Sequence, residues 1–83
     1  MTEASPQRQF VPDRELIGAF VRQRRIASGL SQRQLAELVG TGVRLISEIE
    51  NEKPTLRMDA VNRVLAAFGK RLGPVDAPRE SER

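Results

Sequence analysis

The sequence predicts a compact all-α domain of four to five short helices with flexible ends, and three observations carry that expectation. Apolar residues recur at helical spacing in four stretches: Leu16, Ile17, Phe20 and Val21; Leu35, Leu38 and Val39; Val43, Ile46 and Ile49; and Met58, Val61, Val64, Leu65 and Phe68. Glycines stand where three of these patterns stop, at Gly29, Gly40 and Gly69. Ser31 followed by Gln34 has the form of a capping box, in which the hydroxyl accepts a backbone N–H and the amide reaches back to the cap.

Taken in order, residues 1–12 read as a flexible arm, with Phe10, Val11 and Pro12 leading into a domain over 13–69. Asp13 is the expected N-cap of a first helix, and Glu15 would complement its dipole. The apolar stripe of that helix continues onto Arg24 and Arg25 before Gly29 stops it. An arginine facing the core needs a partner, because an unpaired buried charge costs several kcal/mol. Glu50 is the expected partner of Arg25, lying four residues after Ile46 on the inner side of its own helix; the other reading leaves both side chains in water.

A second helix is expected over 32–39 and a third over 43–51, joined by Gly40, Thr41 and Gly42. Ala36 sits where the two should cross, and its small side chain would let their backbones approach. So tight a turn makes the two cross steeply, the helix-turn-helix arrangement used on DNA. Pro54 disfavours helix at Lys53, so 53–55 should turn. The fourth helix is expected over 58–68. Residues 70–83 hold Gly73 and Pro74, and are expected to form a short edge strand or an extended segment, then a flexible tail.

Composition excludes several functions. With 83 residues the chain is one small domain, and a folded part of about 60 is near the lower limit for a domain without staples or a partner. It has no cysteine and no histidine, which removes disulfides, thiolate nucleophiles, zinc sites built on those ligands, and Ser-His-Asp or Cys-His catalysis. No enzyme activity, metal, cofactor or small-molecule substrate is expected. No apolar run approaches the ~18 residues of a membrane span, and the polar start lacks a signal-peptide core, so a cytoplasmic protein is expected.

The net charge is +3, and its distribution says more than its size. Between residues 14 and 33 stand Arg14, Arg22, Arg24, Arg25 and Arg33 against Glu15 alone. Such a patch suits a polyanion, although an ordinary solvated face explains it equally. The third helix divides more sharply. Ile46, Ile49 and Glu50 face inward with Leu45 at the border, while Val43, Arg44, Ser47, Glu48 and Asn51 face out. A purely structural surface helix has no need of Val43 exposed beside Arg44 and Ser47.

The frame over 29–53 resembles the Xre/Cro-type, phage-repressor-like helix-turn-helix family. Gln32, Leu35, Ala36, Val39, Gly40, Ile46, Ile49, Glu50, Asn51 and Lys53 carry the match, and Arg25 falls at the family's usual arginine. Within the family, residues 40–48, 53–59 and 65–69 are similar to HipB-like antitoxins. This resemblance implies a repressor-like domain that dimerises on a palindromic operator. It further implies a partner, a HipA-like serine/threonine kinase toxin, whose operon the pair would repress. In that group a short C-terminal strand pairs across the dimer, which would give Arg71, Leu72 and Val75 a dimerisation role. Two residues depart from the pattern. Glu52 stands where a glycine is usual, and Gly42 replaces a polar cap, a loss of a few tenths of a kcal/mol.

A helix-turn-helix lays the start of its third helix in the major groove. Gly42, Val43, Arg44, Ser47 and Glu48 are therefore the expected base-reading residues. Arg44 could fork onto guanine, Val43 touch a thymine methyl, Ser47 bond base or phosphate, and Glu48 accept from cytosine or reject wrong registers. The resemblance implies phosphate contacts from Gln32, Asn51 and Lys53, with Arg33 and Arg22 as general electrostatic candidates. Two further readings stay open: a protein-interaction module that holds a toxin, and a stand-alone regulator of the same family.

Overall fold

The computed structural model describes residues 16–77. They form four helices: α1 (Ile17–Ala27), α2 (Gln32–Val39), α3 (Val43–Glu50) and α4 (Met58–Ala66). All four end in the same way, by a hydrogen bond reaching back five residues across one residue in the left-handed region. Leu30 N–H donates to the Arg25 carbonyl (3.1 Å) across Gly29, and Thr41 N–H to that of Ala36 (2.9 Å) across Gly40. Lys70 N–H donates to that of Leu65 (3.0 Å) across Gly69. At the end of α3, Lys53 N–H donates to that of Glu48 (3.0 Å), and the left-handed residue is Glu52, with φ 60°. The usual glycine has been replaced without changing the closure.

The helix starts differ more. Ser31 and Gln34 form the full capping box on α2, with the Ser31 hydroxyl accepting from Gln34 N–H at 3.0 Å. Gly42 begins α3 with no side-chain cap. Leu16, not Asp13, holds the N-cap position of α1 and supplies no acceptor; Asp13 and Glu15 lie outside the described residues, as do the arm 1–12 and the last residues of the tail. The acceptor comes instead from across the domain, where Ala19 N–H donates to Glu52 Oε2 at 3.2 Å. Gly18, buried in the first turn of α1, makes that approach possible. A Cβ there would collide with the Ile49 carbonyl oxygen and the Glu52 carboxylate.

Val21, Leu35, Ala36, Ile46, Ile49, Val61, Val64 and Leu65 form the core, bordered by half-buried residues such as Phe20, Leu45, Leu56 and Phe68. Burial of such side chains is the main favourable contribution in a domain this small. Phe20 and Phe68 meet edge-to-face at 6.2 Å, and the Arg24 guanidinium lies over both rings at 5.6 and 5.9 Å. Arg24 thus leaves the core without losing a partner.

Several apolar residues of the predicted stripes are turned outward. Leu16 and Ile17 are exposed; Leu38 is 68% exposed and Met58 73%. In α2 the buried pair is Leu35 and Ala36, and at about 100° per residue Leu38 lies some 200° past Ala36. Met58 is the first residue of α4, ahead of the turns that meet the core.

Among the described residues there is no strand. Residues 70–77 form no helix and no strand, so the expected short edge strand is not formed in the single chain. Leu72 N–H, which a strand would use, donates to Asn62 Oδ1 at 2.7 Å, and the Leu72 side chain packs half-buried against the core. Pro74 has no N–H to offer a ladder.

Candidate nucleic-acid interface

The site is built on α2 and α3, held in place by one partly buried polar cluster. Arg25 Nε and Nη2 donate to Glu50 Oε2 and Oε1 at 2.7 and 3.0 Å, and Nη1 donates to the Leu30 carbonyl at 2.9 Å. Gln32 Nε2 adds a third bond to the carboxylate, on Oε1 at 3.0 Å. The two charged side chains are only 13% and 6% exposed. Three segments therefore meet on one carboxylate: α1, the start of α2 and the end of α3. Burial pushes the Glu50 carboxyl up, but bonds from Arg25 and Gln32 and the charges of Arg25 and Arg22 outweigh it, and the group rests below its ordinary value. The bond to Glu50 likewise raises Arg25.

This arrangement changes the expectation for Gln32. Its amide nitrogen is turned inward to Glu50, leaving one of its two N–H groups for a phosphate. Arg33, the next residue, is fully on the outside of α2. Val43 was expected to face outward as a methyl reader; it is half-buried and packs in part against the core.

The outward face of α3 is polar and charged. Arg44 is 87% exposed, and its Nε donates to Glu48 Oε2 at 3.1 Å, one helical turn on. The same oxygen accepts from Lys53 Nζ at 3.3 Å. The Arg44 bond, with Lys53 adding to it, holds the Glu48 carboxyl below its ordinary value, so it is an anion at neutral pH. Asn51 Nδ2 donates to Ser47 Oγ at 3.4 Å, a long bond that leaves both groups available. Gly42 lies exposed at the entrance to this face.

The structure thus brings Arg44, Ser47, Glu48, Asn51 and Lys53 together, and joins Arg25, Glu50 and Gln32 behind them. Arg71 and Val75 are exposed on the tail, away from this cluster of bonds, while Leu72 faces its own core. Sequence reasoning missed the cap that Glu52 provides and the Arg57–Asp59 pair at the start of α4, bonded at 2.8 and 3.1 Å. The one signal for Glu52 was its departure from a glycine position. Among the described residues no cluster of ligating side chains could hold a metal, and no helix is long and apolar enough to cross a membrane.

The arrangement offers a polar outward helix face, its inner side tied to α1 and α2, with a guanidinium near its start and an ammonium three residues past its end. A major groove about 12 Å wide admits such a helix. A family model described as helix-turn-helix matches residues 21–75, more than half of the chain. A comparison with curated proteins gives no match.

Proposed function

This chain belongs to the Xre/Cro-type helix-turn-helix family of DNA-binding regulators, and on that premise we propose that it is a sequence-specific transcriptional repressor, acting in the cytoplasm as a homodimer on a palindromic operator. The observation that carries the reading is the outward face of α3. Arg44 stands almost wholly in solvent on a helix whose other side is locked by the Arg25–Glu50–Gln32 cluster. A rigid mount with a free fork is what base readout requires. Arg44 and Ser47 read bases, while Arg33, Asn51, Lys53 and the remaining N–H of Gln32 contact phosphates.

The finer reading is that the chain is the antitoxin of a type II toxin–antitoxin operon and neutralises a HipA-like serine/threonine kinase. Its support is the resemblance over 40–48, 53–59 and 65–69 to HipB-like antitoxins. A second support is the exposure of Leu16, Ile17 and Val75, apolar side chains that a partner or second copy would cover. Arg71 and Val75 are then dimer contacts, joined by Leu72 only through the edge it leaves uncovered by its own core.

The test is binding of the purified protein to DNA upstream of its own gene. Arg44→Ala should weaken that binding and relax one base position per half-site, by about 1–3 kcal/mol. Lys53→Ala should weaken all sequences alike and reduce the salt slope of the dimer by about 2, one for each half-site. Equal losses on operator and random DNA for both variants would sink direct readout by Arg44. A retarded band only in the presence of a kinase-like neighbour would favour the interaction-module reading.

A further inference from the structure

A carboxylate on a face that meets a polyanion opposes binding, so Glu48 stands out among the groups of α3. Its geometry suggests a use. Oε2 takes both the Nε–H of Arg44 at 3.1 Å and the Nζ of Lys53 at 3.3 Å, so the two cations share one carboxylate oxygen. It is also the better-covered partner, with 25% of its side chain exposed against 87% for Arg44. Neither terminal nitrogen of Arg44 makes a bond to another described residue. A guanidinium can address guanine O6 and N7 sideways, through Nε and one terminal nitrogen, or end-on, through both terminal nitrogens. With Nε bonded to Glu48, the sideways mode must break that bond, whereas the end-on fork stays open.

We infer that Glu48 is a positioning residue for base readout: it fixes the Arg44 guanidinium so that its two terminal nitrogens present an end-on fork to one guanine. The inference rests on the reading of Arg44 as a base contact. It makes a specific trade. The charge of Glu48 lowers affinity for every DNA sequence, and in return the fork reaches the groove already oriented, so less rotamer freedom is lost on the cognate base than on others. Lys53 donates to the same oxygen as Arg44, at 3.3 Å.

The experiment selects duplexes from a library with a randomised centre, using the full chain, Arg44→Ala and Glu48→Ala in parallel. The unaltered chain should enrich a guanine in each half-site, and Arg44→Ala should lose it. Glu48→Ala should bind the unselected library more tightly, yet its preference for that guanine should fall ~2- to 5-fold, the range expected for an exposed ion pair. Proton exchange at Arg44 Nε in the free protein, followed by NMR, should be several-fold faster in Glu48→Ala. Loss of the guanine in Arg44→Ala with an unchanged preference in Glu48→Ala would overturn the positioning role and leave the base contact standing. So would unchanged Nε exchange. Retention of the guanine by Arg44→Ala would overturn the base contact itself.

Discussion

Glu52 presents a contest of two local effects whose outcome can be worked out and measured. Its left-handed backbone costs an L-residue about 1–2 kcal/mol that glycine would not lose. Against this, its carboxylate supplies the N-terminal acceptor that α1 otherwise lacks, through the 3.2 Å bond from Ala19 N–H. A side-chain cap is worth ~1 kcal/mol, and an anion near a helix start adds ~0.3–1. Glu52→Gly removes cost and gain together, so its stability should change by no more than ~0.5 kcal/mol. Glu52→Ala keeps the backbone cost and loses the cap, and should be destabilised by ~1–2 kcal/mol. For a domain this size that is a fall in Tm of about 4–8 °C per kcal/mol, readable by circular dichroism. Equal melting of the two variants would refute the backbone cost. An alanine variant as stable as the parent would refute the cap.

Gly18→Ala gives up to ~1 kcal/mol of helix propensity, but its Cβ meets the Ile49 carbonyl, which is backbone and cannot swing away. A net loss of ~1–3 kcal/mol is expected in denaturant titration, with Glu52→Gly giving little relief. Glu50→Ala strands Arg25 in a site where it is 13% exposed, and should cost ~2–4 kcal/mol by the same titration. Replacing both Arg25 and Glu50 by methionine should recover much of that loss. Because the folded-state value of Glu50 is depressed, its contribution is complete above the unfolded carboxyl value of ~4.3. It is lost as pH falls through the lower folded value, so melting temperature should drop more steeply below about pH 4 in the parent than in the double methionine variant.

Much of the fold was legible because its signals are local. The Ser31–Gln34 box and the stops at Gly29, Gly40 and Gly69 act within one helical turn, and the structure uses each of them. The pairing of Arg25 with Glu50 was accessible from spacing, because a charge on an inward face has few ways to be satisfied. Arg44 was placed outward by the same count of residues along α3. Val43, Leu38 and Met58 were not legible. A helix of two turns carries too few residues to define its own buried arc, so neighbours decide which edge of the stripe is covered.

The sequence by itself determined where the helices stop and which of them form the crossed pair. Those properties follow from caps and breakers, whose physics needs no distant partner. Only the tertiary structure decided the fate of two polar side chains. Gln32 turned inward to Glu50, and Glu52 reached across to cap α1. A long polar side chain can take many rotamers, and which one it keeps depends on donors brought near it by the packing of other helices.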